Sequence, residues 1–436
     1  MRGPLSTGVG RVSWRACAPG LLLAGVLATA GCVTNEAALQ EHEKEVAVEP
    51  AQIEAFIADK PEPLKPYYEV MMRQGPRNAV LNNMRIGTAA LGLGEYEAAA
   101  SAFDEALAGI ETIYADNERA AEARSVWTRE NVKDFKGEPY ERAMAYYYRG
   151  LLYLRAGDYQ NARASFKGGQ LQDAFAEEDQ NRADFALLYY LEGWASHCNG
   201  DGQLADDAFK AALEINPDLI LPEGDHGLLL VRESGDGPAK AADGEYQEKL
   251  TFLPGRTEDA LLAEFTVGDH TAIAPKTEDV FYQASTRGGR RVDHVLGQKA
   301  QFKENLDDTG DVLTTAGGVS AAAGLMGGNS DAAMVGALLM IAGAVAEESA
   351  KAARAEADVR TWDNLPAAVK LATLPLPAEA GEGRARLFGR DGAPIPGSER
   401  NFTYQKAGSC AVAWSRSTDP TEIPLRAPGS GGPAEG

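Results

Sequence analysis

Few of the residues able to do chemistry stand at spacings that would let them. Ser320 lies in GGVSAAAG, where the second glycine is out of place for the strained strand-to-helix turn of a nucleophile elbow. The histidines His42, His197, His226, His270 and His294 form no HExxH and no Cys-His spacing suited to zinc. NLDDTGD offers Asp307, Asp308 and Asp311 without the spaced ligands and closing glutamate of a calcium loop, and reads as a solvated turn. RESGDGPAK, from Arg232 to Lys240, is glycine-rich but lacks the Gly-Lys-Ser/Thr that makes a P-loop. No catalytic residue, metal site or cofactor is assigned, and the chain reads as non-enzymatic.

Cys32 carries the clearest covalent chemistry. Leu21 to Ala30 is an apolar run half the length of a membrane-spanning helix. Arg2, Arg11 and Arg15 precede it with no acidic residue, and Thr29, Ala30 and Gly31 lead directly into the cysteine. A basic start, a short apolar core and small residues make a secretion signal. The arrangement resembles the bacterial lipoprotein signal, although Thr29 stands where Leu, Val or Ile is usual. That resemblance implies cleavage of residues 1–31, lipidation of Cys32 and a membrane anchor of several acyl chains. Val33 in place of Asp implies an outer-membrane, periplasm-facing address.

The chain has a net charge of −22, and loss of the signal takes this to −25. Such a balance argues against nucleic acid, which requires a basic face. Cys198 and Cys410 then remain, too few for a disulfide framework. They can pair in an oxidising periplasm or stay as two buried thiols, and the position of Cys198 inside a helical pattern favours the thiols.

The elements that organise the chain begin at Asn82. Gly87, Gly94, Ala99, Phe103 and Ala106 recur as Gly150, Gly157, Ala162, Phe166 and Gly169, and again as Gly193, Gly200, Ala205, Phe209 and Ala212. This pattern resembles the tetratricopeptide repeat, which implies antiparallel helix pairs with small residues at their closest approach and an aromatic between pairs. The turn glycines lie 63 and 43 residues apart where regular repeats have 34, so material is inserted between the units.

A narrower resemblance rests on two segments. KDFKGEPYERAMAYYYRGLLYLRAGDY (133–159) and DVRTWDNLPAAVKLATLPLP (358–377) are similar to elements of an uncharacterised family of tetratricopeptide lipoproteins of Gram-negative bacteria. That family implies a fold and a location, and no activity. Gly137, Glu138, Pro139, Tyr140 and Glu141 read either as a capped helix start or, with Tyr146, Tyr147 and Tyr148, as the approach to a concave groove. In the second reading Tyr140, Tyr146, Tyr147 and Tyr148 contact a partner peptide, while some of these consecutive tyrosines must face the core.

Past Pro217 the texture changes to short β-branched runs with turn residues. The expected architecture is multidomain α + β: signal 1–31, lipid-anchored spacer 32–62, helical repeats 63–217, a β-rich segment 218–311, a Gly/Ala-rich helical hairpin 312–358, a second β-rich segment 359–426 and a disordered tail 427–436. The hairpin contains Gly324 and Gly328 as one GxxxG, and reads either as packed on the β-domain or as inserted in a membrane or oligomer. The leading expectation of function is a lipid-anchored scaffold for an envelope protein partner. The alternatives are a subunit of a membrane-embedded export complex that uses the hairpin to oligomerise, and an accessory activator of cell-wall synthesis.

Overall fold

The computed structural model describes residues 45–115, 134–174, 184–224, 226–243, 249–286, 357–419 and 421. Cys32, the signal, residues 312–356 of the hairpin and the tail lie outside them. Among the described residues are nine α-helices and ten strands. The helices are α1 (Pro50–Ile57), α2 (Lys65–Gln74), α3 (Ala79–Leu93), α4 (Tyr96–Ala115), α5 (Pro139–Ala156), α6 (Tyr159–Asp173), α7 (Ala186–Asn199), α8 (Gly202–Ile215) and the short α9 (Val280–Ser285). The stretch assigned as spacer therefore contains α1, whose Ile53 is buried.

Three successive hairpins, α3/α4, α5/α6 and α7/α8, share one construction. Each first helix ends on a glycine, Gly94, Gly157 or Gly200, with φ of 77°, 76° and 84°, a left-handed conformation that a side chain opposes. The next residue in each case donates to a carbonyl five positions back: Glu95 to Ala90, Asp158 to Tyr153 and Asp201 to Ser196, all at 2.9 Å. These are three copies of the Schellman cap. Within each pair the ring of Phe103, Phe166 or Phe209 lies over Gly87, Gly150 or Gly193, so that a Cβ on the glycine would fall 2.7, 2.3 and 2.7 Å from the ring. Ala99, Ala106, Ala162, Ala205, Ala212 and Gly169 are buried at the same crossings.

The strands are β1 (His226–Ser234), β2 (Ala239–Asp243), β3 (Lys249–Leu253), β4 (Leu262–Val267), β5 (His270–Asp279), β6 (Ala368–Pro375), β7 (Gly381–Phe388), β8 (Arg400–Tyr404), β9 (Lys406–Ala407) and β10 (Cys410–Arg416). β2 and β3 form a hairpin, and the other eight strands form one sheet in the order β8-β7-β4-β5-β6-β1-β10-β9. β1 and β10 are parallel. The sheet curls until β10 contacts β8 and encloses Leu228, Leu230, Phe265, Leu374, Leu387 and Phe402. The alternate residues Leu229, Val231, Val369, Leu371 and Val412 face the helices and belong to their core. With one face enclosed and the other covered, β1 has every residue from Gly227 to Ser234 buried.

The helical and β regions, read from sequence as separate domains, thus share one core within the compact unit spanning residues 42–436. The two β-rich segments also form a single sheet, because β6 from the second lies between β5 and β1 from the first.

Candidate functional site

Of the four tyrosines that one of the two readings of the sequence places in a partner-binding groove, three are inside the protein. Tyr140, Tyr147 and Tyr148 are at most 1% exposed. The hydroxyls of Tyr147 and Tyr148 donate to the two carboxylate oxygens of Glu233 on β1, each at 3.0 Å. Tyr148 also stacks on Phe103 with centroids 5.4 Å apart, and Tyr140 meets Phe252 edge-on. Burial, reinforced by Glu233, holds the Tyr147 and Tyr148 phenols well above the ordinary range. The expectation fails for these three because the sheet of the same chain occupies the face of α5 that a partner was to meet. Tyr146 is half-buried and donates to Glu111 on α4 at 2.9 Å.

The two segments that carry the family resemblance meet across this buried face. At the start of α5, Glu138 and Glu141 form a reciprocal capping box. Glu141, fully buried, accepts from the Glu138 amide at 2.7 Å, the Trp362 amide at 3.0 Å and Lys240 Nζ at 2.6 Å. Lys240, reached from β2, also donates to the Arg360 carbonyl at 2.8 Å. Arg360 grips Asp358 with Nε and Nη2 at 2.8 and 2.7 Å and reaches Asn78 at 2.8 Å. Burial raises the Asp358 carboxyl, and the Arg360 guanidinium more than offsets it, leaving the group below its usual range.

Arg85 on α3 holds Asp363 through two bonds of 2.9 Å. Asn364 accepts from the Trp362 indole at 2.7 Å and donates to the Arg85 carbonyl at 3.0 Å. Arg416 on β10 closes the assembly by donating to the carbonyls of Asn364 and Leu365, both at 2.6 Å. Residues 358–365 therefore form a strap between α3, α5 and the sheet, fixed by charge-assisted bonds on both sides.

Each cation at the strap faces a carboxylate or a carbonyl at bonding distance. Among the described residues no group of three or more His, Cys, Asp or Glu is placed to hold a metal. His197 contacts the His226 carbonyl and His226 contacts Thr373, both at 2.8 Å, while His270 is exposed. Ser320, the Asp307–Asp311 turn, His42 and His294 lie outside the described residues.

Cys198 at the end of α7 is bonded to Cys410 at the start of β10, so the favoured reading as free thiols is corrected. The two are separated by 212 residues in sequence, and only the docking of helices on sheet brings them together. Glu233, Lys240, Arg85 and Arg416 also went unassigned in the sequence. The partners named above lie 51 to 278 residues away, beyond the reach of spacing. No family model, curated protein or solved structure matches the chain.

Proposed function

We propose that this protein is a lipid-anchored, periplasm-facing scaffold whose tetratricopeptide-type helical pairs hold a protein partner in the outer-membrane envelope. The observation that carries the reading is the threefold recurrence of one hairpin, with the same cap and the same glycine-under-phenylalanine crossing. Such recurrence belongs to repeat architectures, whose common use is binding along an extended surface. The Cys198–Cys410 bond suits an oxidising compartment, and the signal ending at Cys32 supplies the route there.

Because the first helices of the pairs are covered by the sheet and the strap, the partner meets the outer ridge made by the second helices, where Leu171 and Leu204 stand exposed. Two measurements test this. Labelling with palmitate should mark the parent and spare Cys32→Ser, and equal label in both overturns the anchor. A photo-crosslinking side chain placed at position 171 or 204 should trap one discrete adduct in intact envelopes; failure at both positions removes the scaffold reading.

A further inference from the structure

One end of the curled sheet, where β1 and β5 finish and β6 begins, holds a buried charge cluster that the strap does not use. Arg232 on β1 pairs in register with Lys370 on β6, which pairs with Lys276 on β5. The three cations continue the inner row of Leu230, Ala372 and Ala274. Arg232 and Lys370 are at most 1% exposed, whereas Lys276 is exposed and bonded to Asp279 at 2.7 Å.

Lys370 Nζ donates to Ser234 Oγ at 2.9 Å, and Arg232 Nη2 donates to the Ser398 carbonyl. Nε and Nη1 of Arg232 are buried without a partner, and so is Oε2 of Glu258. Lys370 and Glu258 line a cleft of about 250 Å³, with Lys276, Asp279, Asp259 and Arg390 also on its walls. Like charges directly opposite one another across a sheet are unfavourable, and a buried cation with no bonded carboxylate is more so. Burial, with Lys276 and Arg232 adding to it against the pull of Glu258, pushes Lys370 down to about 8.

We propose that this cleft binds a phosphate group that keeps a proton, as inorganic phosphate or the end of a phosphomonoester. The Lys370 ammonium on the cleft wall suits an oxyanion, and Arg232, its neighbour in the row, adds positive charge behind it. The orphaned Glu258 oxygen requires, in addition, a ligand that can donate. Hydrogenphosphate satisfies both demands, while sulfate and an ionised carboxylate satisfy only the first. A buried acceptor left unpaired by the wrong ligand costs enough for about a tenfold preference.

Calorimetric titration of the full chain with inorganic phosphate, sulfate and glycerol 3-phosphate at matched ionic strength decides the matter. Saturable phosphate binding, with sulfate about tenfold weaker, is the expected result. A stronger response to glycerol 3-phosphate identifies a monoester as the source, and a response to inorganic phosphate alone identifies the free ion. Glu258→Gln, whose amide can itself donate, should bring sulfate level with phosphate. Lys370→Met should abolish binding yet melt no lower than the parent in phosphate-free buffer, since it removes an unpaired buried charge. Absence of saturable phosphate binding, or equal affinity for sulfate in the parent, overturns the proposal.

Discussion

Two clusters of buried charge lie on opposite faces of the same sheet, and they are built in opposite ways. On the helix side, Glu141 with Lys240, Arg85 with Asp363 and Arg360 with Asp358 are matched in sign and bonded at 2.6 to 2.9 Å. On the inner side, Arg232, Lys370 and Lys276 repeat one sign across three strands, and atoms of Arg232 and Glu258 are left without partners. A matched cluster fixes two pieces of chain to each other and presents nothing to a ligand. An unmatched one holds a conformation whose electrostatic cost is relieved only from outside. Sign pattern and bonding, more than burial itself, separate a structural polar core from a candidate binding site.

The largest test breaks the matched cluster. Glu141→Ala strands Lys240, removes half of the capping box and leaves the Trp362 amide without its acceptor, at a cost of about 3 to 5 kcal/mol. Urea unfolding measures it, and Glu141→Gln combined with Lys240→Met should recover most of the loss by removing both charges. A loss below about 1 kcal/mol would place this pair with weak surface bridges and end the comparison. Next comes the covalent link between the two regions. Replacing Cys198 and Cys410 by alanine frees a loop of 212 residues and should cost about 2 to 5 kcal/mol, visible as a lower urea midpoint that reductant no longer shifts.

Smaller losses are expected inside the helical pairs and where they meet the sheet. Gly150→Ala drives a methyl group into the Phe166 ring and should cost about 1 to 3 kcal/mol, as should Ala162→Leu at the same crossing. Tyr147→Phe removes one bond to Glu233, worth about 1 kcal/mol. A melting curve for Tyr147→Phe that overlays the parent would return this tyrosine to the outward role expected from sequence.

That contrast marks what was legible. Gly87, Phe103 and their counterparts are set by contacts within one hairpin, so their spacing survives in the linear order. The capped start of α5 is legible for the same reason, because Glu138 and Glu141 lie one helical turn apart. Tyr147 and Tyr148 carry no such signal, since adjacent residues that reach one carboxylate 85 positions away look like any other aromatic pair. The segment Arg232–Lys240 is glycine-rich yet lacks the Gly-Lys-Ser/Thr of a P-loop. Its residues instead divide between the clusters: Glu233 bonds the helix-side tyrosines, Lys240 the strap, and Arg232 joins the inner row. Alternation along β1 sets Glu233 and Arg232 on opposite faces, but which face meets which core depends on strands that arrive more than a hundred residues later.

The smallest expected effect separates the two faces by pH. Glu278, buried beside α7 and α9, accepts from the Leu187 amide and from Gln283, yet burial pushes it up to about 8 from an ordinary 4.5. The folded state then holds more protons than the unfolded state between those values, so stability falls as pH rises through 4.5 to 8. Glu233, raised by burial as well, has the same sign. Lys370, pushed down to about 8 from 10.5, has the opposite one: the unfolded state holds more protons between 8 and 10.5, and stability rises with pH through that window. From pH 7 to 9 Glu278 and Lys370 each contribute on the order of 1 kcal/mol with opposite signs, so these two largely cancel in the parent. Unfolding free energies of the single variants in phosphate-free buffer expose the parts. Relative to the parent, Glu278→Gln should gain about 1 kcal/mol across that range and Lys370→Met should lose about as much. Added phosphate would keep Lys370 charged and flatten the rise it produces, while leaving the Glu278 difference in place. If phosphate leaves the Lys370 difference unchanged, the inner cluster is no binding site, and its unmatched charges are only a cost that the fold bears.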